Sequence, residues 1–326
     1  GALPSGPHHA ARQVSNATWA QAILEDRLEP PLSLAYIVGS NLVNRSPSTR
    51  ANVRALAALD FVVVHEPCMT PTALCADLVL PICTELERSD VVASWGHDLH
   101  LFYSRKAVAP KGEARTDYWI FAQLAERLGF GEGYTMGRSE AEWLQQFLDA
   151  RNLDVEALRR DGIVRQDGEP RVALAGFRAD PDAHPLSTPS GKIEISYPRA
   201  RDHGLPAIPS YVEIPRDEGA LQLITPHYKF RSNSCLDAVP WLKRLEPHAV
   251  WINPRDARAR DIADGELAEV YNERGVVRLP ANVTQRIIPG VVCVYQGTWY
   301  QPGGDGVDEG GCANVLTHQR ETPTGG

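Results

Sequence analysis

The first part of the chain alternates short apolar runs with stretches of helical periodicity. Apolar runs occur at Leu34–Val38, Phe61–Val64 and Leu78–Leu80, and each stops at a glycine, a polar pair or a proline, as buried parallel strands do. Between the first two runs, a helix capped by Ser48 or Thr49 would carry its apolar residues on one face. This order predicts a doubly wound, Rossmann-like α/β sheet, whose ligands lie beyond the carboxyl ends of the strands.

Two more helices are predicted after these strands. Apolar residues from Asp117 to Leu128 recur at helical spacing, and Gly129 would end that helix. Ser139 and Glu142 have the spacing of a capping box that opens the next helix. The α/β pattern therefore extends to about residue 150.

The pattern changes twice after this point. Residues 151–219 are rich in loops, and only Ile193 and Ile195 alternate with a polar residue as on a strand. From about residue 220, short apolar clusters are separated by turns, and a short helix capped by Asn253 is expected among them. The strand candidates are Leu221–Ile224, Val250–Ile252, Leu267–Tyr271, Val276–Leu279 and Val291–Tyr295. We therefore predict an α/β segment (1–150), a connecting region (151–219) and a β-barrel or sandwich domain (220–326).

Net charge and cysteine spacing argue against several classes of function. The chain has 33 Lys and Arg against 41 Asp and Glu, a net charge of −8, which argues against a nucleic-acid partner because such proteins need a clustered positive patch. The six cysteines form no CxxC pair and no zinc-type spacing, so we expect free thiols. The charge-free stretch of most interest, Pro30–Asn44, is broken by Pro, Gly, Ser and Asn, so we expect no membrane span. Residues 1–16 contain no apolar run of the kind found in an export signal.

Eight stretches, taken in order, resemble the C-terminal half of molybdopterin oxidoreductases of the dimethyl sulfoxide reductase family. The resemblance is greatest to the catalytic chain of the anaerobic, membrane-bound dimethyl sulfoxide reductases. The stretches are IVGSNLVNRSPS (37–48), VVVHEPCMTPTALCADLVLP (62–81), APKGEARTDYW (109–119), HPLSTPSGKIEI (184–195), TPHYKFRSNS (225–234), VWINPRDARARDIADG (250–265), PGVVCVYQGTWYQP (289–302) and GGCANVLT (310–317).

The resemblance implies a fold, a cofactor and partners. Residues 1–150 would be the end of a central α/β molybdopterin-binding domain, and residues 220–326 a double-psi-type β-barrel that binds the dinucleotide. The cofactor would be molybdenum held by two molybdopterin guanine dinucleotides. A 4Fe–4S cluster and the molybdenum ligand would lie on an N-terminal part that this sequence lacks, so we expect no turnover from this chain alone.

By the same resemblance, the partners would be that N-terminal remainder, an iron–sulfur electron-transfer subunit and a membrane anchor subunit. The location would be the periplasm or the outer face of the cytoplasmic membrane. No residue of this chain is identified as catalytic or as a metal ligand.

Several polar residues after the predicted strands match family positions that contact the dinucleotide. Asn41 follows the first strand, where an ordinary β–α turn is the simpler interpretation. Glu66, beside His65 and close to Thr70, would take up the ring and amino N–H donors of guanine with its two carboxylate oxygens. The family more often has Asp at that position. Arg88 and Asp117 also match cofactor contacts, although a surface ion pair and a helix N-cap would account for them.

The segment from Thr225 to Ser234 is the second candidate region. His227, Lys229 and Arg231 would share one face of a strand, opposite to Tyr228, and meet the pyrophosphates. A basic edge strand that blocks aggregation is the alternative. The remaining candidates are Thr225 and Ser234 in the same segment, Asn314 as a late pterin contact, and Trp299 and Tyr300 as the lining of a substrate funnel.

The function predicted from the resemblance is reduction of an S-oxide or N-oxide such as dimethyl sulfoxide in anaerobic respiration. Other family acceptors (selenate, tetrathionate or polysulfide) remain open, because substrate choice would lie mostly in the missing part. A non-catalytic relative in an electron-transfer complex and a stand-alone binding module are further alternatives.

Overall fold

Three parallel strands form the sheet predicted for the first part of the chain. They are β1 (Leu34–Val38), β2 (Phe61–Glu66) and β3 (Leu78–Pro81), hydrogen-bonded in that order. Val38 pairs with His65, which in turn pairs with Leu80, so the three strands end at the same edge. The centre of β2 is buried, as expected for the middle strand of a covered parallel sheet. The three predicted strands are confirmed.

Helices precede, connect and follow these strands. They are α1 (Trp19–Leu24), α2 (Leu42–Arg45), α3 (Thr49–Ala57), α4 (Asp117–Arg127), α5 (Gly131–Thr135) and α6 (Glu140–Asp149), with a 3-10 turn at Ala73–Cys75. Val43 of α2 and Leu56 of α3 are buried in one core with Ile37, Val62 and Val64 of the sheet. Burial of this shared apolar face holds the connections against the strands.

The predicted N-caps of three helices differ in how their side chains bond. Ser48 is the N-cap residue of α3, but its side chain forms no capping hydrogen bond. The capping box of α6 is confirmed, because the Ser139 N–H and hydroxyl donate to Glu142 Oε2 at 2.7 Å each and the Glu142 N–H donates back at 3.3 Å. At α4 the N-cap is Thr116, which accepts from the Trp119 N–H at 3.2 Å. Asp117 is therefore the first helical residue, and its carboxylate is available for another contact.

The structure, a computed structural model, describes residues 13–93, 99–150, 153–165, 172–211, 213 and 217–321. Among these, residues within 91–104 and 148–216 form one compact unit, and the others form a second. The first of these units contains most of β4 (Asp90–Ala93) together with β5 (His100–Ser104), α7 (Val155–Asp161), β6 (Ile163–Arg165), α8 (Ala175–Ala179) and a 3-10 helix at Pro198–His203. Leu101, Leu148 and Leu158 are fully buried residues of this unit.

The prediction of a strand around Ile193 and Ile195 is wrong. Both side chains are exposed, by 64% and 81%. A turn precedes them, in which the Gly191 N–H donates to the Thr188 carbonyl at 2.9 Å and the Thr188 hydroxyl donates to the Lys192 carbonyl at 2.6 Å. The backbone there is satisfied by local bonds rather than by a neighbouring strand.

A mixed five-stranded sheet forms the β-rich part of the chain. Its strands are β7 (Gln222–Ile224), β8 (Val250–Ile252), β9 (Leu267–Asn272), β10 (Gly275–Val283) and β11 (Val291–Cys293), with α9 (Pro240–Leu245) and α10 (Pro254–Arg258) between them. The strand order is β7-β11-β8-β10-β9. All five predicted strands and the short helix are confirmed, and Asn253 caps α10 by accepting from the Arg255 N–H at 2.9 Å.

This sheet belongs to the same compact unit as β1, β2 and β3. Its core includes Val250, Val277 and Val294, and Tyr300 packs against both this core and the core of the parallel sheet. The overall architecture is a mixed α/β fold. No helix within the described ranges is both long and apolar enough to cross a membrane. The predicted boundaries at residues 150 and 219 stay predictions.

Candidate functional site

A cavity of about 470 Å³ opens at the carboxyl end of β1. Its volume is within the range of small-molecule sites, about 300–1,000 Å³. The lining residues come from segments far apart in the sequence. They are Gly39, Ser40, Asn41, Asn44, Arg45, Thr225, Asn233, Ser234, Cys235, Gln296, Gly297, Cys312, Ala313 and Asn314. Of the twelve predicted cofactor contacts, the structure brings Asn41, Thr225, Ser234 and Asn314 together here.

The turn after β1 supplies donors that have no partner among the described residues. We call residues 39–45 the β1 turn. Gly39 has a φ of +61°, which turns the chain sharply out of the strand. Ser40 Oγ and Asn41 Nδ2 are buried and form no hydrogen bond with any described residue. Because buried polar atoms are normally paired, these two are fitted to receive a ligand or water.

Asn44 connects the β1 turn to the β-rich part of the chain. Its Nδ2 donates to the Thr298 carbonyl, and its Oδ1 accepts from the Tyr300 N–H at 3.2 Å. The Asn44 carbonyl accepts from Asn314 Nδ2 at 2.7 Å. The predicted pterin contact Asn314 therefore uses part of its amide to join two walls of the cavity.

Asp308 supports the wall that contains Cys312 and Asn314. Its fully buried carboxylate accepts backbone N–H groups from Gln301 at 2.8 Å, from Gly310 at 3.1 Å and from Gly311 at 3.0 Å, and also from Cys312. Four oriented donors on one carboxylate fix this loop. Sequence reasoning missed the residue.

The segment from Thr225 to Cys235, here called the β7 loop, is not a strand. Arg231 stacks its guanidinium carbon 4.3 Å from the ring centre of Tyr228, on the same side of the chain, so the prediction that these two residues point in opposite directions is wrong. Lys229 is exposed and pairs with Glu246 at 2.6 Å. His227 contacts the side chain of Gln296. None of the three basic residues lines the cavity, because the chain turns after Pro226 instead of pairing along its length.

Arg231 is the centre of a buried network. Its side chain, 5% exposed, donates to the fully buried Asp237 carboxylate at 3.1 Å and to Thr298 Oγ1 at 2.9 Å. Asp237 also accepts from Lys243 and from the Trp299 N–H. The network ties the β7 loop to the segment that contains Gln296 and Gly297, so it shapes the cavity from outside.

His248 completes this network. Its Nε2 lies 3.0 Å from Thr298 Oγ1 and 3.2 Å from the Gly311 carbonyl. Burial, reinforced by the positive charge of Arg231, lowers the pKa of His248 to about 4. The imidazole is therefore neutral at neutral pH.

The acidic candidates Glu66 and Asp117 both lie near the end of β2 and have different partners. His65 is fully buried, with Nδ1 2.7 Å from Asp117 Oδ1 and Nε2 2.8 Å from the Tyr36 hydroxyl, so it orients Asp117 and presents no surface of its own. Glu66 is half-buried and accepts from the Thr70 hydroxyl at 3.4 Å. Burial raises the pKa of Glu66, and the hydrogen bond from Thr70 opposes this in part. Glu66 and Asp117 do not line the cavity.

The remaining candidates have other partners. Arg88 pairs with Asp90 at 2.7 Å. Trp299 Nε1 donates to the Ser234 carbonyl at 2.8 Å. Tyr300 lines a different cleft, beside Arg50, Arg54 and Arg274. These contacts do not test the cofactor and funnel roles, which stay predictions.

Sequence reasoning missed several of the residues that line the cavity. They are Ser40, Asn44, Arg45, Asn233, Gln296 and Cys312. Asn233 directly precedes the candidate Ser234, and Gln296 directly precedes a glycine after a strand, so both had a local signal. Arg45 had none, since its role depends on the direction of the short helix α2. No group of three His, Cys, Asp or Glu side chains arranged to hold a metal ion occurs in the described part of the chain.

The chain belongs to the molybdopterin oxidoreductase family. Residues 9–127 match the family described as Molybdopterin oxidoreductase, and residues 221–326 match the Molydopterin dinucleotide binding domain. The cavity takes lining residues from both matched regions. The family predicted from the eight stretches is confirmed.

Similar proteins include several reductases. The chain is 34% identical to the dimethyl sulfoxide reductase DmsA of Escherichia coli, across 92% of this chain and 40% of that protein. It is 33% identical to DmsA of Haemophilus influenzae (91% and 41%) and 35% identical to trimethylamine-N-oxide reductase of the same organism (90% and 40%). The chain thus spans about two fifths of the length of these relatives.

A solved structure has the same fold. Acetylene hydratase from Pelobacter acetylenicus superposes with a TM-score of 0.73, covering 93% of this chain and 42% of the hydratase, at 22% identity. Because that protein is named a hydratase, the shared fold alone does not define the reaction.

Proposed function

We propose that this chain is part of a molybdenum-dependent oxidoreductase that binds molybdopterin guanine dinucleotide and reduces an S-oxide or N-oxide. The observation that carries the proposal is the 470 Å³ cavity, whose walls come from both family regions and whose buried Ser40 Oγ and Asn41 Nδ2 have no protein partner among the described residues. The names of the similar reductases supply the substrate class.

The residues of the cavity fit a dinucleotide. Arg45 is the one charged residue among the described lining residues, and it forms no ion pair with any described side chain. Hydroxyls of Ser40, Thr225 and Ser234 and the amide of Asn41 add donors. A ligand rich in phosphate and hydroxyl oxygens would find donors and a positive charge there.

The polar side chains of the cavity and Glu66 would bind different groups of the cofactor. The Asn41 amide, the Ser40 hydroxyl and Arg45 would bind its acceptor oxygens, and Glu66 would take the N–H donors of guanine. When bound, the molybdenum group supplies two-electron oxygen-atom transfer, and the chain supplies binding and electrostatics. We also infer that the five-stranded sheet is part of a double-psi-type β-barrel, with the parallel pairs β8–β10 and β7–β11 as support.

The resemblance to the membrane-bound reductases extends the proposal to partners. We propose that the complete protein carries a 4Fe–4S cluster, receives electrons from an iron–sulfur subunit with a membrane anchor, and works in anaerobic respiration at the periplasmic face. Cell fractionation and co-purification of the complete protein would test this part. Recovery of the protein alone from the cytoplasm would contradict it.

The main experiment uses the complete protein purified without oxygen. Molybdenum is measured by mass spectrometry and guanine nucleotide after acid release, and reduction of dimethyl sulfoxide and trimethylamine N-oxide is followed with reduced viologen. We expect two guanine nucleotides per molybdenum and turnover of at least one acceptor. A preparation free of both molybdenum and guanine would refute the proposal, whereas a loaded protein inactive on both acceptors would refute the substrate class alone.

A further inference from the structure

Thr72 lies beneath the cavity without lining it. Its side chain is fully buried, and its hydroxyl is 2.9 Å from Asn41 Oδ1. The same hydroxyl oxygen accepts the backbone N–H of Val43 at 3.0 Å. A residue from the β2–β3 connection thus contacts both the side chain and the backbone of the β1 turn.

These contacts define which end of the Asn41 amide faces the cavity. Since Thr72 Oγ1 accepts from Val43, its own proton needs an acceptor, and Asn41 Oδ1 provides one. Turning the amide over would place the NH₂ group against the hydroxyl and leave that buried proton without an acceptor. Because Oδ1 is held by Thr72, Nδ2 is the atom of the amide that has no partner in the described part of the chain.

The backbone of Asn41 supports the same orientation. Asn41 is the N-cap residue of α2, and its carbonyl accepts the N–H groups of Asn44 at 3.1 Å and Arg45 at 2.9 Å. An Asn at this position commonly turns its side chain onto the helix N–H groups. Here the side chain makes no such cap, so it is held away from the helix by Thr72.

We propose that Thr72 is a positioning residue that holds the Asn41 amide with its N–H donors toward the cavity, and that this end of the cavity therefore selects an acceptor oxygen of the ligand. The inference rests on the proposed dinucleotide function and adds the chemical class of group that Asn41 binds. An anionic or carbonyl oxygen fits; an N–H donor of guanine does not. Arg45 in the same lining favours the anionic case.

Two substitutions at Thr72 separate orientation from packing. Thr72→Ser keeps the hydroxyl and removes a methyl group, and Thr72→Val keeps the volume and removes the hydroxyl. If Thr72 orients Asn41, dinucleotide occupancy in the complete protein should stay close to wild type in Thr72→Ser and fall about tenfold in Thr72→Val, the effect of about one hydrogen bond. A packing role alone predicts the opposite order, and that order would overturn the proposal.

Thr72→Val also removes the acceptor of the Val43 N–H, and a double-mutant cycle separates that effect from the effect on Asn41. In an Asn41→Ala background, Thr72→Val should lower guanine occupancy by less than about twofold, because the side chain through which Thr72 acts is absent. An undiminished tenfold effect would show that Thr72 acts without Asn41, and the proposal would be wrong. Circular dichroism of each variant checks that the loss is not unfolding.

Asn41→Asp tests the ligand class. A carboxylate repels an acceptor oxygen, so guanine occupancy in Asn41→Asp should fall below that in Asn41→Ala. If the ligand instead presents an N–H donor of guanine here, occupancy in Asn41→Asp should be at least as high as in Asn41→Ala. That result would overturn the assignment. The wild-type protein separates the two levels of inference. If it contains no guanine nucleotide, the proposed function and this inference fail together, whereas a loaded wild type with an equally loaded Thr72→Val refutes only the role of Thr72.

Discussion

The β1 turn and the β7 loop both line the cavity, yet they use their polar groups in opposite ways. In the β1 turn, Ser40 and Asn41 keep buried atoms unpaired toward the cavity. In the β7 loop, Lys229 forms an ion pair with Glu246 and Arg231 forms one with Asp237. The comparison teaches that a cluster of charges in a sequence does not by itself predict side chains that face a ligand, because acidic partners within the fold can pair with those charges.

The largest expected effect comes from the buried charge pair of the β7 loop. Asp237→Ala leaves Arg231 without its carboxylate in an interior site and should reduce the free energy of unfolding by about 3–5 kcal/mol. Denaturant unfolding of the complete protein, followed by tryptophan fluorescence, measures the change. Replacing both residues together (Arg231→Met with Asp237→Leu) should cost less than Asp237→Ala. If Asp237→Ala is as stable as wild type, the buried pair does not stabilise the β7 loop, and the contrast drawn between the two regions is wrong.

Glu66 extends the comparison to the neighbouring strand at the same sheet edge. If its carboxylate holds guanine, Glu66→Ala should weaken dinucleotide retention by about 1–3 kcal/mol, and Glu66→Gln should also weaken it because the amide opposes one donor with another. Guanine released by acid treatment is the measurement. Unchanged guanine content in both variants would remove Glu66 from the site.

The pKa of Glu66 adds a pH dependence with a definite sign. Burial raises this pKa, so the carboxylate is protonated at a higher pH than an exposed Glu, and retention should decline as pH falls through that raised value. Glu66→Gln has no such group to titrate. Its retention should therefore be lower but less dependent on pH, and an identical pH profile in both proteins would contradict the role.

His248 offers a pH test of the network beside the β7 loop. Its folded-state pKa of about 4 is below the ordinary value, so the unfolded chain takes up more protons between the two values. Stability should be fully present above the ordinary histidine pKa and should fall by about 1–3 kcal/mol as pH drops to about 4. His248→Gln should show a smaller fall over the same range, measured by denaturant midpoints. An equal fall in both would show that His248 is not the group responsible.

The smallest effect is expected at Lys229. Its ion pair with Glu246 is exposed, by 66% on the lysine side, and such pairs contribute about 0–1 kcal/mol. Lys229→Glu should therefore change stability little and leave guanine occupancy at the wild-type level. Loss of the cofactor in this variant would support the prediction that Lys229 contacts a pyrophosphate. The β7 loop would then bind the ligand as the β1 turn is proposed to do.

Most of the secondary structure was predictable because it depends on local patterns. The three parallel strands end where glycine, a polar pair or proline interrupts the apolar run, and Ser139 with Glu142 began a helix as a capping box does. The strand predicted around Ile193 failed, since two alternating residues do not provide a pairing partner. The alternation of His227, Lys229 and Arg231 failed for the same reason.

For the site, sequence reasoning found Asn41, Thr225, Ser234 and Asn314 but not the residues that position them. Asn44, Thr72 and Asp308 act through hydrogen bonds to residues distant in the sequence, or to backbone groups of a loop. Such partners have no fixed spacing, so no pattern along the chain reveals them.

By itself, the sequence determined the family and most of the strands and helices, because these depend on neighbouring residues or on motifs, and it predicted the turn after β1 as a binding position. Only the tertiary structure decided which polar groups remain free. Whether Arg231 or Asn41 faces the cavity depends on where Asp237 and Thr72 lie, because a buried polar atom is paired only where the fold places a partner within reach. For that reason Arg231 is paired inside the protein, while the amide of Asn41 is left for a ligand.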